Sequence, residues 1–214
     1  MNQLQKLNKI SNLSYFDTTT LTLIYPDLSK NSLYSNIKRW LKRGKIIQIK
    51  RGMYVTKEYI DNSGDLSSYK EFLANKIKYP SYLSLEYVLQ KHSILSESVY
   101  AYTSITLKTK NEYENELGRY IYRSMTKDLF LGFTVKEVGE YVIKEATKAK
   151  ALFDYLYLKL YRVKDINKDN LLGLRLNMDE FSKEELKEFD KYCNLAGQKK
   201  YKKLKSLIIK AYDL

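Results

Sequence analysis

The 214-residue chain has one cysteine, one histidine and two prolines. Cys193 has no partner for an internal disulfide and no companions for a cysteine-rich metal site. Its place near Leu186 and Phe189 gives it the reading of a small buried hydrophobe. His92, with only a distant Cys193 to join it, is a poor basis for nucleophilic catalysis or a metal centre. There is no glycine-rich phosphate loop. Nor is there a Gly-Ser turn followed by two acids one residue apart, which a nucleotidyltransferase needs to hold a metal against a triphosphate. Ser63-Gly64-Asp65 lacks the spacing, and Asp128, Asp154, Asp165 and Asp169 are scattered. No catalytic residue, metal or cofactor is therefore expected, and the chain reads as a non-enzyme.

No run approaches the roughly 18 apolar residues of a membrane span. The polar stretch from Met1 to Asn12 lacks the apolar centre of a signal peptide. The expectation is a soluble, cytoplasmic protein with no membrane partner. With 44% hydrophobic residues the chain can build a core, and its length suits two domains. Few prolines and glycines mean that any boundary is short.

Acids are scarcest at the N-terminal end. Residues 1–57 hold 11 basic side chains and only two acids, Asp17 and Asp27; the other 157 hold 27 basic and 23 acidic. About a quarter of the chain thus carries +9 of the net +13. A segment so imbalanced repels itself unless it meets a polyanion, and nucleic acid is the usual one.

The same segment has the order of a winged helix-turn-helix. Leu4, Leu7 and Ile10 space a first helix over about Gln3 to Asn12. Asp17 caps a short second helix, which Pro26 stops after Tyr25. Ser29 caps a third, with Leu33, Ile37, Trp40 and Leu41 as one apolar stripe and Gly44 as its terminator. The opposite face carries Asn31, Ser32, Ser35, Lys38, Arg39 and Lys42, with Tyr34 at its border and no acid. Short hydrogen-bonding side chains suit base edges, and cations suit the flanking phosphates. Two β-branched runs then meet at Gly52, and Lys50 and Arg51 sit at the tip of the predicted hairpin. These nine residues, Tyr34 included, are the candidate DNA-binding set. A winged helix that docks protein is the alternative reading.

Asn62-Ser63-Gly64-Asp65 marks the predicted boundary, giving domains 1–62 and 63–214. Beyond it the pattern predicts helices over Leu66–Ile77, from Ser84 to about His92, and over Ala149–Tyr161. Strands are predicted over Val99–Leu107, Gly118–Ser124, Leu129–Thr134 and Tyr141–Ile143. Ser182 to Glu185 fits a capping box, and a last helix runs from about Gln198. The 21 tyrosines, mostly beside β-branched residues, read as strand formers before they read as a base-stacking platform. The run Lys199 to Lys205 reads as the solvated face of the last helix, with contact to DNA or an acidic partner as the alternative.

Several segments, taken in order, resemble the AbiEi family of antitoxins from abortive-infection toxin–antitoxin systems. They are Leu41-Lys42-Arg43-Gly44-Lys45-Ile46 with Ile49-Lys50-Arg51-Gly52-Met53-Tyr54, Pro80-Ser81-Tyr82-Leu83-Ser84-Leu85-Glu86, and His92 to Glu97. Thr103 to Thr106, Gly118 to Tyr122 and Phe130 to Phe133 follow. The resemblance covers about residues 5–160. Where the family often has Ala-x-Pro-Glu-Lys-Ala-Leu-x-Asp, this chain keeps Lys150, Ala151, Leu152 and Asp154. It has Lys148 and Ala149 in place of the proline and glutamate.

The resemblance implies an α+β protein: an N-terminal winged helix-turn-helix followed by a mixed α/β C-terminal antitoxin domain. It implies a DNA-binding autorepressor, with inverted repeats in promoter DNA as one partner and a nucleotidyltransferase-like toxin as the other. Arg119, Lys150 and Asp154 are the candidate antitoxin surface. An RNA-directed transferase or nuclease using the basic patches is the rival expectation from the residues themselves.

Overall fold

The computed structural model describes residues 7–179 and 181–213, and the chain is a mixed α+β protein. It divides into two compact units. The first contains residues 1–70 and 113–118, and the second contains 71–112 and 119–214.

In the first unit, β1 (Phe16–Asp17) leads into α1 (Thr18–Ile24) and then α2 (Lys30–Lys42). A hairpin of β2 (Ile46–Lys50) and β3 (Met53–Thr56) follows. The strands form an antiparallel sheet in the order β1-β3-β2. Asp17 caps α1 by accepting from the Thr20 amide at 2.7 Å, and Ser29 caps α2 by accepting from the Ser32 amide at 3.2 Å. Leu7, Ile10, Phe16, Leu21, Leu33, Ile37 and Trp40 close on Ile46 and Tyr54 as one core. Leu7 and Ile10 pack into this core, but the helix expected to run to about Asn12 gives way to turns after Asn8, and Leu4 lies outside the described residues. The Asn62 to Asp65 turn lies inside this unit, between α3 (Lys57–Asn62) and α4 (Leu66–Ile77).

The second unit is built on a six-stranded sheet in the order β6-β7-β5-β4-β9-β8, although residues 113–115 of β6 and Gly118 of β7 belong to the first unit. Its strands are β4 (Ser81–Leu83), β5 (Ala101–Thr106), β6 (Asn111–Asn115), β7 (Gly118–Ser124), β8 (Phe133–Val138) and β9 (Tyr141–Ala146). Pairs β5/β7 and β4/β9 run parallel, whereas β4/β5 and β8/β9 run antiparallel. Helix α5 (Leu85–Lys91) packs on α6 (Lys148–Lys159), and α6 packs on α8 (Lys183–Leu195). Leu152, Phe153, Leu156 and Phe189 are buried there, and so is Cys193, whose thiol burial pushes upward in pKa.

Two expected elements of the second unit are corrected by this architecture. The strand expected from Leu129 begins at Phe133, after a 3-10 turn over Lys127–Leu129 and a left-handed Gly132. A Cβ on Gly132 would lie 2.3 Å from the Tyr192 hydroxyl, so the apolar run breaks where backbone and ring must approach. The last helix is two pieces, α9 (Lys199–Lys202) and α10 (Leu204–Tyr212), and α7 (Lys168–Leu172) was not foreseen. Among the described residues no helix is long and apolar enough to cross a membrane.

Candidate nucleic-acid interface

Helix α2 buries Leu33, Ile37 and Trp40, with Leu41 half-buried against the same core. Asn36 is buried with them, a polar member that the apolar stripe gave no sign of. The remaining sides are left exposed: Asn31, Ser32, Tyr34, Ser35, Lys38, Arg39 and Lys42 all face solvent, and so do Arg43 and Lys45, which had not been singled out. None of the nine is an acid. Lys38, Arg39 and Lys42 enter no ion pair among the described residues. Ser32 is less free than its neighbours, since its hydroxyl lies 2.9 Å from that of Ser29. Tyr34 lines a cleft of about 260 Å³ together with Thr18, Thr19, Thr22, Lys30 and Leu33.

The exit from α2 has a physical cause. Gly44 adopts φ +60°, the Gly44 amide donates to the Leu41 carbonyl at 3.0 Å, and the Lys45 amide donates to Trp40 at 2.9 Å. This nested pair satisfies two of the last carbonyls and turns the chain directly into β2. The hairpin pairs Ile46 with Thr56 and Ile47 with Val55, then shifts register between Gln48 and Lys50. Such a bulge sharpens the local twist. Gly52 turns the chain at φ +79° with open space around it, so its need for glycine is conformational rather than steric. Arg51 is exposed at the tip, and Lys50, half-buried, ends β2. Asn115, on the tip of the β6–β7 hairpin, donates its side-chain amide to the Ile49 carbonyl at 2.8 Å. Its own side-chain oxygen accepts from the Leu117 amide at 2.7 Å.

The three candidate antitoxin residues do not form one surface. Lys150 and Asp154 are wholly buried and paired with each other, one turn apart on α6, and their expected place at a surface is corrected. At that point the helix faces inward. Nζ of Lys150 sits 4.9 Å from the Phe153 ring centre and 5.3 Å from that of Tyr192. Asp154 also accepts from the Ser84 hydroxyl at 2.8 Å and the Tyr82 hydroxyl at 3.0 Å. The Pro80 to Glu86 and Ala146 to Asp154 segments therefore meet through these polar groups. Burial pushes the Asp154 carboxyl up, opposed by Lys150, Ser84 and Tyr82. Arg119 alone of the three is exposed, on β7, donating to Glu112 at 2.9 Å.

A second polar cluster escaped the sequence reading. Glu145 on β9 receives Lys91 at 2.6 Å and also Lys136, while Lys91 and the Tyr87 hydroxyl converge on Glu71 at 2.8 and 2.6 Å. These residues come from α4, α5, β8 and β9, so no local spacing announces them. In the lysine run, Lys199, Lys202 and Lys203 are exposed as expected, and Lys200 departs from that expectation. Lys200 donates to the carbonyls of Leu160, Tyr161 and Val163 at 3.1, 2.7 and 3.0 Å, and so caps the C-terminal end of α6 instead of facing solvent.

Neither a protein-family model nor a curated protein matches this chain.

Proposed function

We propose that this chain is a non-enzymatic, cytoplasmic DNA-binding autorepressor and antitoxin, with a winged helix-turn-helix formed by α1, α2 and the β2–β3 hairpin. One observation carries the DNA-binding half: the exposed side of α2 and the turn after it, from Asn31 to Lys45, is free of acids, and it leads directly into a hairpin tipped by Arg51. In this reading Asn31 and Ser35 reach base edges, and Lys38, Arg39, Lys42, Lys50 and Arg51 contact the backbone. The antitoxin half rests on the resemblance to the AbiEi family, with a nucleotidyltransferase-like toxin as the partner to be neutralised.

The test is a mobility-shift titration of the full chain on the promoter DNA of its own operon across a salt series. Five backbone cations predict that log K falls against log salt with a slope of about −4.5. Lys38→Ala/Arg39→Ala should flatten that slope. Binding that ignores salt, or that survives this double substitution unchanged, would remove the DNA half. The antitoxin half fails if co-expression does not relieve the toxicity of a neighbouring nucleotidyltransferase-like protein.

A further inference from the structure

The second unit contains a groove of about 580 Å³ that the DNA-binding reading does not use. That volume lies in the range of small-molecule sites. One wall is β7, where Tyr120 and Tyr122 are fully buried on one face of the sheet. By strand alternation Arg119, Ile121 and Arg123 project together on the other, into the groove. Lys159 and Tyr155 of α6 also line it, and Tyr100, 90% exposed, stands there as a large aromatic ring left out of the core.

The two arginines converge. Arg119 reaches one oxygen of Glu112 at 2.9 Å and Arg123 the other at 3.7 Å. Both guanidinium groups thus reach the Glu112 carboxylate, and all three side chains are about half exposed. Exposed ion pairs contribute little, whereas a guanidinium fork on phosphate makes strong charge-assisted bonds. Glu112 occupies the place of an anion that a better anion can take.

We propose that this groove binds a single phosphate-bearing ligand of nucleotide size. The phosphate would displace Glu112 from Arg119 and Arg123, and Tyr100 would stack on the base, while Lys159 sits 3.9 Å from Glu86 in the same lining. Glu86 and Glu97 also line the groove. Their charge disfavours a long polyanion, such as an acidic peptide or a nucleic-acid strand, and their oxygens suit the N–H and hydroxyl groups of a base and ribose. The proposal is independent of DNA binding by α2.

Isothermal titration of the full chain with metal-free ATP, inorganic phosphate and an oligoglutamate peptide tests it. ATP should bind, and Arg119→Gln/Arg123→Gln should weaken it by about tenfold or more. Glu112→Gln should strengthen it by about threefold, since it removes the competing carboxylate. Tyr100→Ala, at a position too exposed to affect folding, should weaken ATP and leave inorganic phosphate unchanged. Lys202→Gln/Lys203→Gln, which removes two exposed cations elsewhere, should change nothing. Absence of ATP binding up to millimolar concentration would overturn the proposal. So would indifference to the arginine substitutions, a loss of affinity in Glu112→Gln, or tighter arginine-dependent binding of the peptide.

Discussion

Lys150 and Asp154 form an ion pair with no solvent on either side chain, one helical turn apart on α6. Taking two charges out of water is costly, and removing one of them strands the other. Lys150→Ala or Asp154→Ala should therefore cost about 3–5 kcal/mol in chemical denaturation. Replacing both with apolar side chains, Lys150→Met/Asp154→Leu, should recover most of that loss. If each single variant unfolds at the wild-type midpoint, the pair is not the structural element described.

Asn115 offers a way to disturb the hairpin without touching its charge. Its bond to Ile49 lies at the bulge next to Lys50 and Arg51. Asn115→Ala should cost about 0.5–1.5 kcal/mol of stability for the lost bond. It should weaken promoter binding while leaving the salt slope unaltered, because no cation is removed. A change in slope would show that Asn115 acts on DNA itself.

Base and backbone contacts are separable in the same assay. Arg51→Ala should weaken binding to all duplexes alike and reduce the slope by about one. Asn31→Ala should relax sequence preference, costing about 1–3 kcal/mol on the preferred site and little on random DNA. Competition against both duplexes at fixed salt measures each.

Lys200 donates to three carbonyls at the end of α6, so Lys200→Met should lower the melting temperature. Lys202→Met and Lys203→Met, both at exposed positions, should leave it almost unchanged. Equal effects at the three positions would contradict the capping role.

The pH profile follows from Glu145. Burial works to raise its carboxyl, but the hydrogen bonds from Lys136 and Lys91 outweigh it and hold the group below the ordinary 4.5. His92 is charge-coupled to the same carboxylate. A carboxyl lowered on folding contributes stability above its unfolded value and loses it as pH falls through the folded one. Stability should therefore fall as pH drops below about 4.5. Lys91, raised overall by Glu145 and Glu71 against the effect of burial, should give a second loss as pH rises past 10.5. Asp154 works against the acid limb, because its raised carboxyl is easier to bury at low pH. Melting temperatures of wild type and Glu145→Gln from pH 3 to beyond 10.5 separate these effects, with a shallower acid limb expected in the variant.

The elements with strong local grammar were legible from the residues alone. Asp17, Ser29 and Gly44 bound α1 and α2 as the capping rules require, and Ser182 with Glu185 makes the reciprocal capping box of α8. What failed was structure held by distant partners. Strand β6, Asn-Glu-Tyr-Glu-Asn, is almost wholly polar and gains its place at the sheet edge only by pairing with β7. Strands β1 and β4, of two and three residues, are too short to show a period. The candidate interface was readable because one helix carries most of it. The buried partners of Lys150 and Asp154 were not, because Tyr82 and Ser84 lie some 70 residues away, and burial has no signature in a string of letters.

The first unit is discontinuous: its last piece, residues 113–118, returns only after residues 71–112 have been spent on the second. An amino-terminal fragment on its own therefore lacks one piece of its unit. A fragment ending near residue 62 or 70 leaves the Ile49 carbonyl without its Asn115 donor, and grafting such a fragment onto another protein would transplant the basic helix but not the clasp on its hairpin.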